Sequence, residues 1–297
     1  MRVVSLLPSA TEIVAALGCA DRLVGISHEC DFPPGATGLP RVTRCEIHGA
    51  GLPSVQIDAW VRETLANRGS LYTLDEELVR ELRPDVILTQ QLCDVCAVTY
   101  GSVAAFANSM ARPPLVVNLQ PSSLEDILAD IRRVGVPLGA AVHANALILA
   151  LRGRVRSVAA RVCGAASRPR CLLMEWTDPP FCGGHWNPQL VELAGGTDPI
   201  GRAGQPSRRV TWEEIGAADP DLIVLALCGI PRQRAVRETA ALAAKQDWNR
   251  LRAVREGRVV TVDGKAYFSR PGPRIVDSLE MLAAIVHPEL YREAMPQ

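Results

Sequence analysis

Apolar and polar positions along the chain switch repeatedly between the period of a strand and the period of a helix. Residues 2–7 form a β-branched and leucine run that stops at Pro8, and Ser9-Ala10-Thr11-Glu12 has the form of a capping box opening a helix that ends at Gly18. A short strand is predicted at 23–27, followed by a proline-rich polar loop over 28–53. Thr73, with Glu76 three residues on, predicts a helix over 74–82. Arg83-Pro84-Asp85 stops it, and Val86-Ile87-Leu88-Thr89 reads as a buried strand. A helix over 101–110 and a strand over 115–119 complete an alternating α/β lobe, residues 1–121.

Ser122-Ser123-Leu124-Glu125 caps a helix reaching 134, and after Pro137 a second helix is predicted over 138–163. At about 1.5 Å per residue it spans about 39 Å, long enough to join two lobes, so 122–168 is read as a helical connector. The strand-helix pattern then restarts over 169–297. It predicts a strand at 171–175, a loop, a helix at 188–194 stopped by Gly195-Gly196, and a capping box at Thr211-Trp212-Glu213-Glu214. Strands at 222–226 and 258–262, a loop over 263–273 and a helix over 274–286 follow. One unit occurs twice: Glu76-Glu77-Leu78 with Pro84-Asp85-Val86-Ile87 matches Glu213-Glu214-Ile215 with Pro220-Asp221-Leu222-Ile223. In this pattern Asp85 and Asp221 are turn formers.

Charge and composition narrow the function classes. The 297 residues carry 32 basic and 32 acidic side chains, so no basic field exists to hold nucleic acid or anionic lipid. No stretch approaches the roughly 20 apolar residues of a membrane span. The first 20 residues mimic a secretion signal, but Pro8 and Glu12 interrupt the apolar region, and strand followed by helix is the better use of them. Nine cysteines, an odd number without framework spacing, fit a reducing compartment. A cytoplasmic location is therefore expected, or a periplasmic one if Met1 is not the natural start.

In open parallel sheets ligands bind beyond the carboxyl ends of strands. Here those ends carry Pro8 and Ser9, His28-Glu29-Cys30, Gln90-Gln91 with Cys93 and Cys96, Trp176, Phe181-Cys182-Gly183-Gly184-His185-Trp186, Cys228, and Tyr267-Phe268 with Arg270. Trp60, Trp212 and Trp248 are read as structural, and His143 as a helix-face histidine. Gly183-Gly184 and Gly195-Gly196 lack the spacing of a phosphate loop.

Taken in order, Val4-Ser5-Leu6-Leu7-Pro8-Ser9-Ala10-Thr11-Glu12, Val24-Gly25-Ile26-Ser27 with Asp31-Phe32-Pro33, Arg83-Pro84-Asp85-Val86-Ile87, Pro179-Pro180-Phe181, Glu192-Leu193-Ala194-Gly195-Gly196 and Arg270 with Pro273-Arg274-Ile275 carry a resemblance. The chain resembles the substrate-binding proteins of ABC importers for iron-siderophores and cobalamin, most nearly the cobalamin-binding branch, over nearly its whole length. The resemblance implies two Rossmann-like α/β lobes with parallel sheets, joined by a single long rigid helix, and a corrinoid or metal chelate in the cleft between them. It places Pro8, Ser9, Phe181, Tyr267, Phe268 and Arg270 in or near that cleft. Aromatic walls suit a corrin face and benzimidazole, and an arginine suits the one phosphate. It also implies an importer-docking acid on each lobe. Glu213 fits one, whereas 101–105 holds no carboxylate for the other.

The thiols admit three readings: half-buried hydrophobes without a chemical role, a soft-metal or cobalt-contacting site, or a catalytic dithiol at Cys93-Asp94-Val95-Cys96. The metal reading draws on some of His28, Cys30, Cys93, Cys96, Cys182 and His185, with Cys30, Cys93, Cys96, Cys182 and His185 as the leading ligands. The leading expectation is a non-catalytic corrinoid-binding protein. The alternatives are direct binding of a metal ion or chelate through the Cys/His set, and a thiol-dependent redox or corrinoid-processing enzyme, for which no nucleophile-base-acid set is present.

Overall fold

The computed structural model describes residues 1–47, 51–91 and 98–291. Strand β1 (Val3–Ser5) leads into helix α1 (Pro8–Ala16), then β2 (Leu23–Ile26) and β3 (Thr43–Arg44). Helix α2 (Ser54–Arg68), β4 (Thr73–Leu74), α3 (Glu76–Leu82), β5 (Val86–Gln90), α4 (Tyr100–Ser109), β6 (Leu115–Leu119) and α5 (Leu124–Gly135) follow. After α6 (Ala141–Val162) come β7 (Cys171–Thr177), β8 (Pro180–Cys182), α7 (Asn187–Leu193), α8 (Trp212–Ala218) and β9 (Leu222–Leu225). The series closes with α9 (Arg232–Leu242), α10 (Gln246–Arg250), α11 (Arg252–Arg255), β10 (Val259–Thr261), a π-turn at Gly264–Phe268, and α12 (Ile275–Val286).

Residues Met1–Leu52, Gln56–Pro121 and Glu125–Leu149 form one compact unit, and Pro53–Val55, Ser122–Leu124 and Ala150–Gln297 the other. The division falls inside α6, which is four residues shorter than the 26 predicted over 138–163. The first unit holds a parallel sheet in the order β2-β1-β5-β6. The second holds β10-β9-β7-β8, in which β10, β9 and β7 are parallel and β8 folds back antiparallel on β7. Val86, Ile87 and Leu88 in one sheet, and Leu222 to Leu225 in the other, are buried on both faces, as strands covered by helices on each side must be.

The repeat seen in sequence is a repeat in space. Helix α3 is capped by Asp75, whose Oδ1 accepts from Leu78 N at 3.1 Å, and α8 by Thr211, whose Oγ1 accepts from Glu214 N at 3.0 Å. Each ends in a left-handed residue, Arg83 (φ 43°) and Asp219 (φ 40°). Each then turns through a proline and an aspartate into the next strand.

Some expectations needed correction. The capping box at Ser9 does not form: Pro8 is the first helical residue and Ser9 lies buried within α1, because proline's fixed φ and missing N–H suit that first position. Thr73 pairs with Arg44 in a small antiparallel ribbon, and the true cap of α3 is Asp75. The region 263–273, expected as loop, contains the π-turn, with Asp263 Oδ1 accepting from Ala266 N at 2.7 Å.

Candidate functional site

In the first unit the carboxyl ends of β1 and β2 meet a hydroxyl network. Thr11 Oγ1 donates to Ser5 Oγ at 2.9 Å and lies 3.1 Å from Cys30 Sγ. Thr43 Oγ1 donates to Ser27 Oγ at 3.2 Å, so His28 Nδ1 is the donor in its 2.7 Å contact with Thr43 Oγ1. The His28 ring lies 5.3 Å from that of Tyr72, and Nε2 is 3.7 Å from Glu29 Oε1. Arg41 threads behind the turn, donating to the carbonyls of Ser27, Cys30 and Thr37. Of the predicted contacts here, His28, Glu29 and Pro8 are partly exposed and Gln91 is exposed, while Ser9 and Gln90 are buried.

In the second unit Glu175, at the end of β7, organises the turn after β8. Its Oε1 accepts from Gly184 N at 2.9 Å and Asn187 Nδ2 at 2.8 Å, and its carboxylate also receives a bond from Ser207. Burial pushes its carboxyl above the usual range despite these donors. A Cβ on Gly184 would lie 2.0 Å from Ser207 N, so only glycine fits between Glu175 and that strap. His185 N donates to Gln205 O at 2.6 Å and its carbonyl accepts from Gly204 N at 2.8 Å. Asp198, nearby in the interior, accepts from Ile200 N at 2.9 Å and Gly201 N at 2.7 Å, and burial pushes its carboxyl to about 6.

Trp176, Phe181, His185 and Tyr267 are partly exposed at these strand ends. The Arg274 guanidinium sits 5.3 Å from the Tyr267 ring centroid. Three expected contacts are buried instead. Trp186 is anchored by Nε1 donating to Phe268 O at 3.0 Å, Phe268 is 0 % exposed, and Arg270 is 4 % exposed. The Trp186 and Phe268 rings serve the packing of the unit, and Gly184 serves as backbone clearance.

Among the described residues the Cys/His metal set does not assemble. Cys93 and Cys96 lie outside the described residues, and among the described residues no group of three or more His, Cys, Asp or Glu is placed to hold a metal ion. Cys182 packs with Leu172, Met174 and Ile200, and burial pushes its thiol pKa up, away from the thiolate a metal requires. Cys30 is buried beside Thr11. Cys228 is exposed, and none of the seven described cysteines forms a disulfide with another. The residues that sequence reasoning missed, Glu175, Asn187, Thr43, Arg41 and Tyr72, act through partners remote in sequence. Glu175 alone left a trace, as an acid ending an apolar strand.

Among the described residues no helix is long and apolar enough to cross a membrane. An uncharacterized ABC transporter substrate-binding lipoprotein of Bacillus subtilis is 22% identical over 98% of this chain and 82% of its own length. A vitamin B12-binding protein of Vibrio cholerae is 22% identical over 95% of this chain and 87% of its own. A cobalamin-binding protein of Halobacterium salinarum is 26% identical over 96% and 69%. The solved periplasmic vitamin B12-binding protein of Vibrio cholerae shares the fold with a TM-score of 0.72 at 21% identity, covering 97% of this chain and 96% of that one. The periplasmic heme-binding protein of Roseiflexus shares it at 0.73 and 20%, covering 97% and 98%. These likenesses lend no support to the expected cytoplasmic location. The model of the periplasmic binding protein family matches residues 3–266, and the chain therefore belongs to that family, whose members are substrate-binding proteins and not enzymes.

Proposed function

We propose that this protein binds cobalamin or a related corrinoid. The observation that carries the reading is the placement of Trp176, Phe181 and Tyr267, partly exposed at strand ends in a chain whose aromatic content is 4%. A wide conjugated macrocycle needs such flat apolar faces. The relatives named for vitamin B12 and cobalamin, matched over 95% or more of this chain, support the same ligand class. A second macrocycle, heme, is favoured by the heme-binding proteins among the solved structures of the same fold.

Gel filtration of the full chain with hydroxocobalamin, and separately with hemin, tests the reading through the visible absorbance of the protein peak. Co-elution of hydroxocobalamin is expected. Elution of both macrocycles entirely apart from the protein overturns the proposal, and hemin alone co-eluting replaces the corrinoid by heme.

A further inference from the structure

The outer edges of the two main sheets are not alike. Beside β2 the chain continues the backbone pairing, with Ile26 N donating to Pro40 O and Val42 N to Ile26 O, both at 2.9 Å. Beside β8 the strap does the same, through Cys182 N to Arg208 O and Val210 N to Pro180 O. On β10, Arg232 Nε donates to Thr261 O at 3.3 Å. Strand β6 has no such cover among the described residues: it pairs with β5 alone.

Leu115 N donates to Asp85 O at 2.9 Å, so the backbone of Leu115, Val117 and Leu119 faces β5, and by alternation that of Val116 and Asn118 faces outward. The N–H and C=O groups of those two residues lie open along the edge. The usual protection of an edge is missing as well, since Leu115–Leu119 carries neither a charge nor a proline. Between β6 and the end of α5 runs a groove of about 480 Å³, walled by Leu115, Val136 and Pro137. Leu115 and Val136 are 53% and 55% exposed there.

We infer that β6 is a pairing surface for a second copy of this chain. An antiparallel partner strand centred on Val117 sets Val116 opposite Asn118 of the other copy, and Asn118 opposite its Val116. Each opposed pair exchanges two N–H···O bonds, so the open groups of both copies are all used. Charge is complementary in the same arrangement. It brings the start of one β6 beside the end of the other, and with it Arg112, 93% exposed, toward the acidic first turn of α5, Glu125 and Asp126, in the second copy. Pro113 and Pro114 before the strand and Pro121 after it confine pairing to β6, and a two-fold contact consumes the edge that forms it. The product is a closed pair that unites two sheets, and its short contact falls below the roughly 800 Å² per partner of a standard interface. Association in the micromolar range or weaker is expected.

Sedimentation equilibrium of the full chain from about 5 to 500 µM, with amide hydrogen exchange at both ends of that range, tests the inference. The mass is expected to rise from 32.0 kDa toward twice that value. Exchange at Val116 and Asn118 should slow with concentration, while at Val117, already bonded to β5, it should not change. Val116→Pro removes one donor from each copy at an edge position and should weaken pairing on the order of thirtyfold. Leu115→Lys places a charge on the same edge and should weaken it comparably, with the thermal midpoint kept because the side chain is already exposed. Arg112→Glu should weaken it severalfold, more at low salt. A mass constant at 32.0 kDa over the whole range overturns the inference. So does a dimer that Leu115→Lys leaves intact, or one in which exchange at Val116 and Asn118 is unchanged, since the copies then meet elsewhere.

Discussion

The backbone N–H of Arg170 donates to Asp221 Oδ2 at 2.7 Å, while Asp221 N donates back to Arg170 O at 2.8 Å. The same reciprocal clamp joins Arg2 and Asp85, at 2.7 and 2.8 Å. In each case an aspartate after the proline that follows the helix's left-handed cap secures the start of the unit's first parallel strand against its neighbour. Asp221 is further enclosed by Arg252 and Arg170, which together with its backbone donor hold its carboxyl below the usual range although burial opposes them. Asp221→Ala should therefore cost about 2 kcal/mol of unfolding free energy, the worth of a charge-assisted bond, and Asp85→Ala less. Urea denaturation of the two variants measures the difference, and equal losses would deny the arginines any part.

Gly184 tests the strap that fixes the turn of His185. With Ser207 N 2.0 Å from the point an added methyl would occupy, Gly184→Ala must move backbone, a loss of roughly 1–3 kcal/mol or more. Gly216→Ala makes a fair comparison: it lies in α8 with open space around it and should stabilise by roughly 0.5–1 kcal/mol. Thermal midpoints moving in opposite directions are the expected result.

Asp130 sets a pH dependence. It is 0 % exposed on α5, paired through Oδ1 with Arg133, and burial aided by Asp126 pushes its carboxyl to about 7 against the attraction of Arg133. The folded protein thus holds this proton between about pH 3.8 and 7 while the unfolded chain releases it, so stability falls as pH rises through that window. Asp198 adds the same sign up to about pH 6. The slope approaches about 1.4 kcal/mol per pH unit for one proton. Asp130→Asn should flatten the curve, raising stability relative to wild type at pH 8 more than at pH 5, as denaturation at the two values reads directly.

The thiols divide by exposure. Cys163 and Cys228 are exposed, whereas Cys171 and Cys182 are buried with their pKa values raised by desolvation. Timed alkylation of the native protein followed by peptide mass analysis should label the first pair within the time that leaves the second pair untouched. Early labelling of Cys182 would return it to the reactive groups.

The legible parts of the fold were those with continuous local signals. Val86 to Leu88 and Leu222 to Leu225 announce buried strands, and Thr211 with Glu214 announces a helix start. Helix α2 escaped because most of its residues stay exposed or partly exposed, leaving no helical period to read. Helix α9 buries only Ala235 and Leu242, and β8 hides behind Pro179-Pro180. For the site, sequence located His185, Trp176, Phe181 and Tyr267 at strand ends. Their support came from Glu175, Gln205 and Ser207, brought to Gly184 and His185 across 9 to 23 residues by β8 and its flanking strap, and pairings of that range leave no local pattern.

The doubled helix-cap-clamp gives the molecule an internal control. A probe introduced at Asp85 can be matched by one at Asp221 in the same chain under the same solvent, so a perturbation reaching one half differently from the other is read as a ratio within a single sample. Ligand, temperature and salt effects common to the polypeptide cancel in that ratio, and what survives belongs to the surroundings that distinguish the two copies, Arg252 beside Asp221 foremost among them.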